Sequence, residues 1–153
     1  MKRRRGFVQM AILHLLEEAS MHGYKIMKEL ENRSGGHYSA SAGTVYPALQ
    51  DLLEQEMIEL ESSSDKKTYF IQEKGRVRLN EFANRSEGIF WSDWEARWIW
   101  QNSEEAVQLK ETIDLWETEL RKAIKQTRIT PEKSTKLITF MKEITERLET
   151  EKY

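Results

Sequence analysis

Residues 7–17 read FVQMAILHLLE. Phe7, Val8, Ala11, Ile12, Leu15 and Leu16 make an i, i+4 stripe two residues wide, and Met10 and Leu13 carry it nearly all round. A helix that is apolar on most sides must be covered on most sides. The segment therefore predicts a central helix, or one that a second chain covers in part.

What can surround it is bounded by length and composition. A chain of 153 residues fits one domain, or two small ones sharing a core. Lys and Arg total 24 against 26 Asp and Glu, which excludes a uniformly basic nucleic-acid binder but leaves a locally basic surface open. There is no cysteine, so disulfides, thiolate chemistry and Cys-based zinc sites drop out. His14, His22 and His37 are too scattered for metal-ligand spacing, and no carboxylate cluster converges on them. No nucleophile–base pair, phosphate loop or dinucleotide fingerprint is present, so neither catalysis nor a cofactor is expected. No apolar run approaches the roughly 18 residues of a membrane span. The basic start, Met1–Gly6, leads into an apolar segment that ends at Glu17 and Glu18 without a small-residue cleavage site. A cytoplasmic protein without a signal peptide is expected.

Around the first helix the pattern continues in short elements. Ser20 is placed to cap a second helix over about 21–33, with Tyr24, Met27 and Leu30 spaced inward, and Gly35-Gly36 stops it. In SASAGTVYPALQDLL, residues 39–53, the apolar positions Val45, Ala48, Leu49, Leu52 and Leu53 fall within an arc of about 140°. Gly43, Tyr46, Pro47, Gln50 and Glu54 lie opposite. Pro47 fits a helix beginning near Gly43 or Thr44, because a first-turn residue has no intrahelical use for its N–H. The outward face of that start is small and flat, with Ser41 or a neighbour as cap. Two β-like runs follow, Met57–Glu61 and Lys67–Ile71, separated by Ser62–Lys66 as a loose hairpin. Three helices and a two-stranded hairpin in this order predict a mainly α protein built on a winged helix-turn-helix, whose third helix and hairpin approach DNA together.

Past Gly75 the pattern is helical and rich in large aromatics. Trp91, Trp94 and Trp98 follow i, i+3, i+7 spacing on one face. Two roles fit them: an aromatic slot that stacks a planar effector, or a core or dimer seam. Leu109, Ile113, Trp116 and Leu120 are spaced 4-3-4, a heptad-like seam on a helix over 104–127 that Ser103 recaps. Thr130-Pro131-Glu132 starts a last helix over 131–150. The organisation expected is residues 1–75 for DNA binding and 76–153 for helical dimerisation, the latter also the candidate effector region.

Met21-His-Gly-Tyr-Lys-Ile, Ser34-Gly-Gly, Ser41-Ala-Gly-Thr-Val-Tyr-Pro-Ala-Leu and Lys67-Thr-Tyr-Phe-Ile-Gln-Glu-Lys-Gly75, in that order over about residues 7–80, closely resemble the PadR family of bacterial transcriptional regulators. The resemblance implies a homodimeric winged-helix repressor of double-stranded DNA with a C-terminal helical dimerisation region. It also implies that some relatives respond to phenolic acids or hold flat aromatic drugs between subunits. The residue that stacks such a ligand in the family aligns nearer Ser86, so that role does not transfer to the tryptophans here.

On this reading the start of the third helix meets the major groove. Ala40, Ala42 and Gly43 leave room for backbone approach, while Ser39, Ser41 and Thr44 offer hydroxyls and helix-terminal N–H groups. Tyr46, Pro47 and Gln50 complete its outer face. Relatives often carry Lys or Arg soon after Pro-Ala-Leu; here Gln50, Asp51 and Glu54 stand there, so contact is expected through the first two turns only. Attraction must come from Arg3, Arg4 and Arg5 as a minor-groove arm ahead of the first helix, from Lys25 and Lys28, and from Lys66 and Lys67 on the wing. The resemblance places Tyr24 and Tyr69 near the DNA backbone. A winged-helix protein-interaction module that does not bind DNA is the alternative, and the acidic Asp51/Glu54 edge is its support.

Overall fold

The computed structural model describes residues 2–61, 67–85, 88–130 and 132–151, with side chains described from residue 6 onward. The chain divides into two compact units, Met1–Asn102 and Ser103–Tyr153.

The first unit is built around α1 (Lys2–Glu18). Val8, Met10, Ala11, Ile12, Leu13, Leu15 and Leu16 are all buried. The rest of the same unit does the covering: α2 (Gly23–Arg33), α3 (Ala42–Glu54), α4 (Glu73–Ala83) and the third of three short strands pack on it. The central-helix expectation is met without a second chain.

The strands are β1 (Met21–His22), β2 (Ile58–Glu61) and β3 (Thr68–Ile71), antiparallel in the order β1-β3-β2. Ile58 pairs with Ile71 and Leu60 with Tyr69 across the wing. The sequence pattern gives two strands; the third, β1, pairs Met21 with Tyr69 and His22 with Thr68. This short pairing moves the start of α2. Residues 21–22 are extended, so the helix opens at Gly23 and its cap is His22, whose Nδ1 accepts from the Lys25 amide at 3.1 Å. Ser20, the expected cap, lies outside the helix. At the other end, Gly35 and Gly36 take φ of +62° and +83°, and the Gly36 amide reaches back to the Glu31 carbonyl.

Winged helix and wing do not exhaust this unit. Residue 75, where the sequence reading divides the chain, lies within the first turn of α4 (Glu73–Ala83), and α5 (Phe90–Gln101) also belongs to the unit. Trp94 has 0% exposure and Trp98 7%, both packed with Phe90 and Tyr38 into the shared core. The second unit is the helix pair α6 (Glu104–Thr127) and α7 (Glu132–Thr150). Ser103 caps α6, its Oγ accepting from the Ala106 amide at 3.2 Å. Among the described residues no helix is long and apolar enough to cross a membrane.

Candidate nucleic-acid interface

The tip of α3 stands open to solvent. Ser41 occupies the cap position, but its hydroxyl meets the Thr44 hydroxyl at 3.1 Å rather than a backbone amide. Ser39, Ser41, Ala42, Gly43 and Thr44 are exposed, whereas Val45, Ala48, Leu49 and Leu52 are buried. The helix begins earlier than the proline suggests. With Ala42 as its first residue, Pro47 falls in the second turn, where it has no N–H to give the Gly43 carbonyl. The tip therefore offers backbone N–H donors at its start, two hydroxyls, and one carbonyl that the helix does not bond. That set can both donate and accept at phosphates or base edges.

Beside the tip lies a cleft of about 370 Å³ lined by His22, Gly23, Tyr24, Tyr46, Lys67 and Tyr69. The extra strand explains the convergence. Pairing of Met21 with Tyr69 fixes the start of α2 against the wing, so Tyr24 from α2, Lys67 and Tyr69 from the wing, and Tyr46 from α3 share one wall. Tyr46 is seated on the start of α2: a Cβ at Gly23 would lie 2.9 Å from the Tyr46 hydroxyl oxygen and 3.0 Å from its ring. Only glycine permits that approach. The Tyr24 and His22 rings stack at 6.5 Å, leaving Tyr24 61% exposed. Tyr69 is buried, and burial, with Tyr46 adding to it, pushes its phenol above the ordinary tyrosine range. It therefore keeps its proton and remains a donor. Three phenols and one ammonium facing one cleft suit an anionic, oxygen-rich ligand such as a phosphodiester.

The acidic edge is rearranged relative to the sequence reading. Asp51 turns toward α1 and accepts from Gln9 Nε2 at 3.1 Å. Glu54 accepts from Gln50 Nε2 at 3.1 Å, so Gln50 is exposed yet engaged with its neighbour one turn on. One of the two carboxylates of that edge is thus drawn inward.

The basic candidates divide. Lys25, Lys28 and Lys67 are exposed, Lys28 beside Glu31 at 3.8 Å. Lys66 lies outside the described residues, as do the side chains of Arg3, Arg4 and Arg5. The backbone of those three arginines is the first turn of α1 rather than an arm ahead of it, in keeping with the good helix propensity of arginine.

The tryptophan face packs inward. Trp94 is fully enclosed, its ring 5.2 Å from Phe7 and 5.4 Å from Trp98, and its Nε1 donates to the Leu30 carbonyl at 3.2 Å. Trp91 is half-buried beneath the Arg33 guanidinium at 4.7 Å. A planar ligand could stack on Trp94 or Trp98 only if this core opened. The spacing that suggested a slot is equally that of a buried helix face.

His22, Gly23 and Gln9 were not among the site residues drawn from the sequence. Only the His-Gly-Tyr turn carried a local signal for the first two. For Gln9 there was none, since its role depends on α1 meeting α3. No cluster of His, Asp or Glu able to hold a metal is present among the described residues.

Residues 12–81 match the model of the transcriptional regulator PadR-like family. The transcriptional regulator YqjI of Escherichia coli strain K12 is 30% identical over 134 residues, which are 87% of this chain and 64% of that protein. The chain thus spans less than two thirds of this relative's length. A transcriptional regulator from Clostridium thermocellum superposes with a TM-score of 0.51 at 24% identity, over 56% of this chain and 84% of that one. A PadR-like transcription factor from Bacteroides fragilis gives 0.50 at 24% identity, over 55% and 84%. At this identity the two solved structures establish the winged-helix fold.

Proposed function

We propose that this protein, whose residues 12–81 match the model of the transcriptional regulator PadR-like family, is a cytoplasmic homodimeric repressor that binds a pseudo-palindromic operator. The observation that carries the reading is the exposed tip of α3, flanked by a cleft into which Tyr24, Tyr46, Tyr69 and Lys67 all face. The tip, with Ser39, Ser41, Gly43, Thr44, Tyr46, Pro47 and Gln50, enters the major groove. The cleft grips a backbone phosphate, and Lys66 and Lys67 of the wing, with Arg3, Arg4 and Arg5, supply attraction to the duplex. Residues 1–75 carry the DNA contacts; the helices beyond carry dimerisation.

Dimerisation is supported by the surface of the second unit. Ala106 is its one buried residue among those described, while Leu109, Ile113, Trp116 and Ile124 remain 41–48% exposed. Leu120, Ile124, Leu137, Ile138 and Met141 line an open apolar groove between the two helices. Patches of this kind mark interaction sites, and a second copy of the same heptad-like seam is their natural cover. Two copies so joined present two tips about 34–36 Å apart, one per major-groove turn.

The test is a promoter reporter together with binding-site mapping, with and without the gene. The account expects protected palindromic sites whose promoters become more active on deletion. A map without palindromic enrichment contradicts it. A protein-interaction module without DNA affinity is the weaker reading here, since Asp51, half of the acidic edge that favoured it, is turned toward Gln9.

A further inference from the structure

The turn between α2 and α3 decides where the α3 tip points, and α5 holds that turn from outside the winged helix. Trp94 reaches the last turn of α2 by donating to the Leu30 carbonyl. Tyr38, within the turn and 6% exposed, lies edge-on to Trp94 at 5.2 Å and against Trp98 at 4.3 Å. At the end of α5, Asn102 Nδ2 donates to the His37 carbonyl at 2.7 Å. From the inner side, Ser34, fully buried, donates to the Glu31 carbonyl at 2.7 Å and accepts the Tyr38 amide at 2.8 Å. The turn is therefore held on both sides, and the outer grip comes from an element that a winged helix does not require.

Asn102 is also the last residue of the first unit; the next, Ser103, caps α6. The side chain that fixes the helix-turn-helix turn thus sits on the peptide that begins the second unit.

We infer that α5 is a clamp on the helix-turn-helix turn, in which Tyr38, Trp94 and Asn102 are positioning residues for the α3 tip. This rests on the DNA-binding reading above. A released turn lets α3 sample orientations that do not fit the groove, and apparent affinity falls with the binding-competent fraction. The clamp changes how often the tip is correctly placed, not which phosphates it meets. Its loss should therefore weaken binding without altering the salt dependence.

The experiment uses the full chain and duplexes enriched by it from a random-sequence pool. Asn102→Ala should weaken binding by about five- to 150-fold, the range for one lost hydrogen bond in each of two copies. The salt slope and the dimer dissociation constant should stay as in the unmodified chain. Amide hydrogen exchange should quicken at residues 34–41 and not in α1, a local signature that general destabilisation would not give. Asn102→Gln, which keeps a donor, should recover part of both effects. Asn102→Ala with unmodified affinity, while Tyr46→Ala loses binding, overturns the clamp and leaves the DNA reading standing. Failure of the unmodified chain to enrich any duplex overturns the DNA reading instead. Exchange at 34–41 then still decides the clamp, and unaltered rates overturn it.

Discussion

In the first unit every helix buries part of itself against the rest of that unit; in the second, nearly all the described apolar residues are half-buried or exposed. From α1 through α5 each helix contributes at least two buried residues, while α6 contributes Ala106 and α7 none among those described. The sequences do not differ in kind. Both units carry amphipathic helices with Leu, Ile and Trp at helical spacing. What differs is the number of faces available. A winged helix with two further helices can close around α1, but two helices alone cover only one side of each other. The first unit therefore closes a core of its own, and the second leaves much of its helix pair uncovered.

The largest effect that can challenge this contrast lies in the first core. Trp94→Ala should cost about 3–5 kcal/mol in chemical denaturation, the usual range for losing a large buried aromatic. That loss should be independent of protein concentration. A concentration-dependent loss would mean that a second chain helps to build this core.

In the second unit the reverse should hold. Ile113→Glu places a charge on a side chain 45% exposed, so it should leave the denaturation of the first unit alone. If that side chain is covered by a second copy, burial worth about 1.5–3 kcal/mol per chain is lost twice across a twofold axis. Dimer dissociation followed by sedimentation should weaken about a hundredfold or more. A variant that stays dimeric would place the interface elsewhere.

Gly23→Ala probes the cleft. The new methyl displaces the Tyr46 ring from its seat, and losing one contact of about 1 kcal/mol in each of two copies predicts roughly thirtyfold weaker duplex binding. Thermal stability should change little, because the ring can swing outward into solvent.

The smallest effect is a pH dependence. His14 stacks on Phe90 at 4.1 Å, and its Nε2 is buried without a hydrogen-bond partner among the described residues. Burial holds its pKa below the ordinary histidine value of 6.5, against the opposing pull of Glu18 and then Glu17. The unfolded chain thus binds a proton at a pH where the folded chain does not. This part of the stability is complete above about pH 6.5 and declines as pH falls toward the folded-state pKa. His14→Phe should flatten the stability profile on the acid side, measured by denaturation at several pH values. A profile unchanged by the substitution would show that the ring is not held neutral by this packing.

Local patterns made much of the fold legible. The all-round apolarity of residues 7–17 required a helix covered on most sides, Gly35-Gly36 marked the end of α2, and Ser103 marked the start of α6. What the pattern missed depends on distant partners. β1 is two residues long and exists because β3 lies beside it, so no periodicity announces it, yet it moves the start of α2 and gathers the tyrosines. Gln9 and Asp51 meet across 42 residues, and Asn102 and His37 across 65. The tryptophans were visible as one face; whether that face holds a ligand or a core depends on Tyr38 and Leu30, which the spacing does not mention. The family motifs pointed to Tyr24 and Tyr69, but the seating of Tyr46 on Gly23 needed the folded chain.

The central claim is that two copies of this chain place their α3 tips on one duplex. Its most direct measurement is the mass of the protein–DNA complex in solution, taken with the unmodified chain and with Tyr46→Ala on the same enriched duplex. The account predicts two chains per duplex for the unmodified protein, and loss of the complex for the variant while the free protein stays dimeric. A complex containing a single chain, or one that Tyr46→Ala leaves intact, would contradict it.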